Sequence, residues 1–202
     1  HANVREQGLL KKNIVLGNTI IDMYAKCGAL QKAHNVFEEL PQRDVVSWSA
    51  LIAGYAKSGL SDRAIKCLRQ MENKGVAPDE VTYVSVLKAC ATIGSLEIGK
   101  EVHAKVRERV LLKKNIVLGN TLIDMYAKCD SIEDAQCVFE RAVKKDIVTW
   151  NVIMTGFLYQ GMHDECLKYF YRIQHENMMP NDVSFISGLK ACIGCTSLII
   201  GK

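Results

Sequence analysis

The sequence predicts an all-α chain, an α-solenoid of stacked antiparallel helix-turn-helix repeats, and three observations carry that prediction. The first is that Asn13 to Cys27, NIVLGNTIIDMYAKC, returns almost letter for letter as Asn115 to Cys129, NIVLGNTLIDMYAKC. The same offset of 102 residues brings His1-Ala2 onto His103-Ala104, Trp48 onto Trp150 and Leu87-Lys88-Ala89-Cys90 onto Leu189-Lys190-Ala191-Cys192. Self-similarity at a fixed period marks a repeat array, and it sets the fold before any local propensity is read. The second is a looser theme inside each period, an extended lead-in and then an apolar run closed by a small or polar pair: IVLGNTIIDMYAKCGAL, VVSWSALIAGYAKSGL and EVTYVSVLKACATIGSL. The third is that only 3 Pro and 14 Gly interrupt apolar residues at helical spacing, with no Val/Thr alternation long enough for a sheet.

Residues 1–13 match the end of a unit, so the chain is expected to open inside a second helix. The first whole unit is 14–44, where Asn18 opens a helix with Ile20, Ile21, Met23 and Tyr24 on its apolar stripe and Gly28 closes it. Its partner helix carries Ala33, Val36, Phe37 and Leu40 at i, i+3, i+4 and i+7 and stops at Pro41. Unit 45–79 repeats the plan with Trp48, Leu51, Ile52 and Tyr55 on its first helix, Gly59 at the turn, and Ala64, Ile65, Leu68 and Met71 on its second. Gly75 and Pro78 end it. In unit 80–115 the first helix runs from Thr82 to Ala91, the turn is Ile93-Gly94, and the second helix runs from Leu96 to Arg109. Units 116–146 and 147–181 follow in the same order. The truncated unit 182–202 has one helix and barely a turn of a second, which leaves Leu198, Ile199 and Ile200 without a neighbour and makes end-to-end self-association an expectation. Helix pairs this short cannot bury an apolar stripe alone; stacked into a superhelix, their first helices share one surface, where function is expected.

A hydrophobic fraction of 49% with 24% charged residues is that of a folding chain, and no apolar run has the length of a membrane span, so no membrane partner is expected. The chain opens mid-repeat without a signal or transit segment, so targeting information is expected to have been lost or to lie outside these residues. A net charge of +4 permits an anionic partner without requiring one. Several of the 8 Cys are repeat-matched, Cys27 with Cys129 and Cys90 with Cys192, where a helical stripe takes a small apolar residue; buried free thiols in a reducing compartment are expected.

Units of 31, 35 and 36 residues carrying GNTIIDMYAKCGALQKAHNVFEELPQRD, VVSWSALIAGYAKSGL and a terminal GVAPD resemble the pentatricopeptide repeat family. More narrowly, the order of short, standard-length and long units resembles its plant subclass of alternating repeats, called S, P and L. On that likeness 1–13 is a partial L repeat, 14–44 and 116–146 are S, 45–79 and 147–181 are P, 80–115 is L and 182–202 a truncated L. The resemblance covers the whole chain and implies a piece of a longer protein that binds single-stranded RNA in a plastid or mitochondrion, one base per repeat. It needs no cofactor and implies no enzymatic activity in this chain. It further implies that the fifth and last residues of a repeat read the base: Asn18 with Asp44, Ser49 with Asp79, Asn120 with Asp146, and Asn151 with Asn181. In the family's code these imply U, G, U and C or U, a tract U-G-x-U-(C/U). Position x falls to the long unit, with Val84 fifth and Asn115 last; Ile186 has the same place in the final unit, and neither apolar side chain can read a base edge. Val15, Val46, Val117 and Val148, second in each reading unit, are where the family places residues that sandwich bases. The subclass is associated with C-to-U editing, so editing cofactors or a C-terminal deaminase domain are implied partners of the longer protein.

Physical chemistry gives the pairs meaning, because a carboxylate only accepts hydrogen bonds and so favours the N3–H of uracil or the N1–H and N2–H of guanine, whereas an amide can also donate to cytosine N3. The competing explanation is helix capping for the polar pairs and helix-start packing for the valines. A protein-binding scaffold of the tetratricopeptide kind is the alternative function, but a peptide groove requires no Asn/Asp pairing in register. His163-Asp164-Glu165 with Cys192-Ile193-Gly194-Cys195 spells the HxE and CxxC of a zinc deaminase. Register sets it aside: His163 aligns with Ser61 at a second-helix start and Cys192 with Cys90 inside a first helix, Ala191 stands where a Pro belongs, and no α/β core remains. His1, His103 and His175 lack a second ligand at metal spacing. Lys11-Lys12 and Lys113-Lys114 are repeat-matched and read more readily as solvated pairs than as phosphate contacts.

Overall fold

The computed structural model describes residues 13–109, 111–113, 115–176 and 178–200. Among them it holds eleven α-helices, one 3-10 turn at Leu111–Lys113, and no strand. The chain divides into two compact units, His1–Ile93 and Gly94–Lys202.

The first unit contains α1 (Ile14–Lys26), α2 (Leu30–Glu39), α3 (Val45–Lys57), α4 (Ser61–Asn73) and α5 (Glu80–Ile93). Helices α1 and α2 form one antiparallel hairpin and α3 and α4 the next, while α1, α3 and α5 pack side by side as a row of first helices. The second unit contains α6 (Leu96–Glu108), α7 (Ile116–Lys128), α8 (Ile132–Arg141), α9 (Ile147–Tyr159), α10 (His163–His175) and α11 (Asp182–Ile200). Here α7, α9 and α11 make the row, with α8 and α10 behind it and α6 against α7.

The predicted stripes form these cores. Ala33, Val36, Phe37 and Leu40 are buried, as are Trp48, Leu51, Ile52, Tyr55, Ala64, Leu68 and Met71. Phe37 meets Trp48 edge to face at 4.6 Å between centroids, and the repeat-matched Phe139 and Trp150 do so at 4.8 Å, so α2 is keyed to α3, and α8 to α9, by the same aromatic contact. First helices can approach closely because Gly54 and Gly156 carry no side chain: a Cβ on either would come within 2.7 and 2.8 Å of the Cβ of Ala25 and Ala127.

Four expectations are corrected. The lead-ins IVL, VVS and IVT are not extended but form the first helical turn, so α1 starts at Ile14 rather than at Asn18 and α5 at Glu80 rather than at Thr82. Met23 is 45% exposed although its counterpart Met125 is fully buried. Met125 lies beneath Gly99 of α6, a helix whose first-cycle counterpart falls outside the described residues. The eight cysteines are free thiols, but only Cys67, Cys90, Cys129 and Cys166 are buried; Cys27, Cys137 and Cys192 are exposed. Cys27 shares the face of Met23, and Cys192 lies on the outer side of α11 near the exposed Leu189 and Ile193. Finally, the last unit has no turn: α11 is one helix of 19 residues, because the turn glycine of the first cycle, Gly94 at φ +68°, is replaced by Thr196, which continues the helix.

His1, Lys11, Lys12 and Lys114, with the expectations placed on them, lie outside the described residues, as do the side chains of Lys113, Leu198, Ile199 and Ile200. No helix of the described residues is long and apolar enough to cross a membrane.

Candidate functional site

Every first helix starts on a polar side chain that is the last residue of the preceding unit. Asn13 accepts from the Leu16 N–H at 3.1 Å and Asn115 from the Leu118 N–H at 3.0 Å. Asp44 accepts from the Ser47 N–H at 2.9 Å, Asp79 from the Thr82 N–H at 2.8 Å, Asp146 from the Thr149 N–H at 2.8 Å and Asn181 from the Ser184 N–H at 3.1 Å. The second helices begin at Ala29, Leu60, Ser95, Ser131 and Met162 with no side-chain cap. Polar capping is therefore confined to the helices of the row, a pattern that stability alone does not explain, since an N-cap serves any helix.

The caps also meet the fifth residues. Asn18 lies one turn into α1 and donates through Nδ2 to Asp44 Oδ1 at 3.1 Å and Oδ2 at 3.3 Å. Asn151 donates to Asn181 Oδ1 at 2.9 Å. Asn120 and Asp146 interact in the same sense, and the amide helps to lower the pKa of that carboxyl. Ser49 is the exception: its hydroxyl donates to the Val46 carbonyl at 3.3 Å rather than to Asp79. At Asp44 and Asn181 capping and contact with the fifth residue thus coexist, one carboxylate or amide making both.

Charge at these positions is fixed by local bonding. Burial raises the Asp44 carboxyl, but donors from the Ser47 N–H, the Ser47 hydroxyl and the Asn18 amide outweigh it and leave its pKa below the ordinary value. Asp146 is held down in the same way by Thr149 and Asn120. Both are anions at neutral pH and can only accept further hydrogen bonds.

The four valines do not pack at helix starts. Val15 is 69% exposed, Val117 56%, and Val46 and Val148 50% each, so four aliphatic side chains stand open beside the polar pairs. Val81 and Val183, which the sequence reading passed over, have the same second position in the long units and are 57% and 49% exposed. Ser47 and Ser184 were missed as well. Each lies at the third helical residue with its hydroxyl 2.7 Å from the fifth-residue amide oxygen of the preceding unit. The legible signal was a Ser or Thr three residues after the caps Asp44, Asp79, Asp146 and Asn181, where Asn13 and Asn115 have a leucine. Val84 is half-buried and Ile186 51% exposed, neither with a polar atom to offer a base.

Elsewhere the chemistry is structural. His103 Nδ1 lies 2.9 Å from the Tyr126 hydroxyl between α6 and α7, and burial, with Arg107 nearby, lowers its pKa. The ring of His163 packs over Gly194, and Cys195 donates to Asp164 at 3.2 Å. Among the described residues no three His, Cys, Asp or Glu side chains are grouped to hold a metal ion.

The geometry is that of a modular helical-repeat protein with an exposed valine in the first turn of each row helix and, in four of them, a polar fifth residue as well. The PPR repeat family profile matches residues 43–92, and the PPR repeat profile matches 18–45, 120–147 and 148–178. The chain belongs to the pentatricopeptide repeat family. A chloroplastic pentatricopeptide repeat-containing protein of Arabidopsis thaliana is 34% identical over 194 residues, 96% of this chain and 31% of the relative. A mitochondrial one from the same plant is 36% identical over 202 residues, 100% of this chain and 20% of the relative. The chain thus spans a third or less of the length of these relatives. Among solved structures, pentatricopeptide repeat protein PPR10 in complex with an 18-nt psaJ RNA element superposes with a TM-score of 0.73 at 19% identity, covering 94% of this chain and 29% of that one. The PPR domain of Arabidopsis thaliana protein-only RNase P 1 in complex with tRNA superposes with a TM-score of 0.68 at 12% identity, covering 88% and 97%. At these identities the likeness is one of fold.

Proposed function

We propose that this chain binds single-stranded RNA in a plastid or mitochondrion, taking one base per repeat. The observation that carries the reading is the recurrence of one constellation in register, a capping Asp or Asn beside a fifth-position Asn or Ser, next to a valine at least half exposed. Each capping carboxylate keeps lone pairs for a donating base edge, and each exposed valine supplies an aliphatic surface against which a base can lie. Relatives named chloroplastic and mitochondrial, and family members crystallised with RNA, support partner and compartment.

The unit lengths assign the chain to the subclass of alternating repeats, with S units 14–44 and 116–146, P units 45–79 and 147–181, and L units 80–115 and 182–202. Asn18 with Asp44 and Asn120 with Asp146 read uracil, Ser49 with Asp79 reads guanine, and Asn151 with Asn181 reads cytosine or uracil, giving U-G-x-U-(C/U). Chemistry on the RNA, most simply C-to-U editing, belongs to a domain outside these residues. Fluorescence anisotropy at fixed low salt tests the reading with labelled RNA carrying repeated UGAUC tracts against a scramble of the same composition. Preference for the tract supports base reading; equal binding of both leaves only phosphate electrostatics and overturns it.

A further inference from the structure

Four units carry a reading pair, and the residue that separates them in two classes belongs to none of the pairs. Where the third residue of the following helix is serine, its hydroxyl reaches back to the fifth-position amide. The Ser47 hydroxyl is 2.7 Å from Asn18 Oδ1 and 2.8 Å from Asp44 Oδ1, while the Asp44 N–H donates to Ser47 Oγ at 3.2 Å. The Ser184 hydroxyl is 2.7 Å from Asn151 Oδ1 and 3.1 Å from Asn181 Oδ1. Where that residue is threonine, the hydroxyl serves the cap alone: Thr149 donates to Asp146 at 2.8 Å and Thr82 to Asp79 at 2.7 Å. Asn120 Oδ1, the atom that Ser47 satisfies in Asn18, is buried without a partner. The threonine oxygen sits against its cap as the serine oxygen does, 2.8 Å from Oδ1 with the cap N–H at 3.2 Å, but its β-methyl stiffens χ1 and limits adjustment towards the amide of the neighbouring helix.

We propose that the third residue of each following repeat, Ser47 and Ser184 against Thr149, is a positioning residue that decides how firmly the fifth-position asparagine is held for base recognition. The proposal rests on the base-reading assignment above. A carboxylate only accepts, so the atom of Asn18 facing Asp44 is the NH2 group and its Oδ1 must turn to a donor, which Ser47 provides. With both ends engaged the amide cannot flip or rotate, and the remaining Nδ2 proton and the free lone pairs of Asp44 face a base in one fixed geometry. In the Asn120 unit only one end is engaged. Rotation then offers a base either amide atom, and discrimination weakens although the two residues of the pair are unchanged. Sharp reading is thus assigned to the Asn18 and Asn151 units and tolerant reading to the Asn120 unit.

The reciprocal exchange tests this without removing a cap, because Asp146 and Asp79 accept from the N–H of a threonine as Asp44 accepts from that of a serine. Wild type, Ser47→Thr and Thr149→Ser are titrated with UGAUC, AGAUC and UGAAC tracts. Ser47→Thr is expected to cut the U-over-A preference at the first base roughly three- to tenfold, the effect of one hydrogen bond, and to leave the fourth base alone. Thr149→Ser is expected to raise the preference at the fourth base by a similar factor. Asp44→Asn tests the underlying assignment: if it leaves first-base preference unchanged, the base-reading assignment falls and RNA no longer reports on Ser47. The positioning claim is then judged without RNA, from the side-chain amide resonances of uniformly 15N-labelled chain. Asn18 and Asn151 should show slow NH2 rotation and slow exchange, and Asn120 fast. Ser47→Thr should make Asn18 behave as Asn120 does, and Thr149→Ser the reverse. Unchanged amides in both variants, or a preference change spread equally over both bases, overturns the inference.

Discussion

Position 40 and its repeat mate 142 offer a reciprocal test of how the scaffold supports the site. Leu40 is 4% exposed and packs on Gly17, where a Cβ would collide with its side chain. In the second cycle the same place holds Ala142, nothing lies within 4 Å of a Cβ on Gly119, and a cavity of about 520 Å3 opens beside Gly119, Asn120 and Ala142. Asn18 is buried at 8% exposure, whereas Asn120 is half-buried. Leu40→Ala removes three buried carbons, about 2.4 kcal/mol of transfer free energy at ~0.8 per methylene, and with the cavity left behind should cost about 2–4 kcal/mol. Ala142→Leu runs the other way. Because Ala142 is half-exposed, the gain should be about 1 kcal/mol. Urea denaturation followed by far-UV circular dichroism gives both values. A destabilised Ala142→Leu chain, or a Leu40→Ala cost below about 1 kcal/mol, would refute the account of the cavity.

Three further outcomes follow from the same geometry. Val46→Ala should weaken RNA binding two- to threefold with an unchanged melting temperature, because Val46 is half exposed and an aliphatic platform contributes less than the roughly 1–3 kcal/mol of an aromatic one. Asp44 and Asp146 have depressed pKa values in the folded chain, so their contribution to stability is present above the unfolded value of about 3.9 and lost as pH falls through the folded value; Asp44→Asn should flatten the acid limb of a stability-versus-pH curve below about pH 4. Asp130 holds φ 55°, where the matched Gly28 has φ 73°, and its carboxylate accepts from Gln160 Nε2 at 2.9 Å. Asp130→Gly should relieve about 1 kcal/mol of left-handed strain and raise the urea midpoint, the bond to Gln160 offsetting part of the gain.

The fold was legible because the repeat was. Matching Asn13–Cys27 to Asn115–Cys129 located the hairpins, and the stripe Ala33, Val36, Phe37 and Leu40 located the buried face. Helix starts lie up to a turn earlier than expected because IVL, VVS and IVT are rich in β-branched residues and resemble extended chain, although capping by the Asn or Asp before each run marks the boundary. Met23 and Cys27 depend on a neighbouring helix, which local periodicity does not report. The turn at Thr196 fails for want of one glycine. At the site, the pairs and the valines came from resemblance, and the structure adds that six valines, not four, stand open. Ser47 and Ser184 escaped because a sequence shows a cap and its third residue as a capping box and cannot show that a hydroxyl also reaches the helix before.

The central claim is that the fifth and last residues of a unit set the identity of one base, and Asp79 is where it is tested most directly. Its carboxylate caps α5 through Thr82 while Ser49 leaves it unpaired, and asparagine caps α11 in the same way at Asn181. Asp79→Asn should therefore leave the fold intact. Anisotropy titrations of wild type and Asp79→Asn against UGAUC, UCAUC, UUAUC and UAAUC tracts measure the second base alone. The account predicts preference for guanine in the wild type, lost by about tenfold or more in Asp79→Asn, with the order at the first and fourth bases unchanged. A uniform loss across all four tracts, or an unaltered order at the second base, would contradict it.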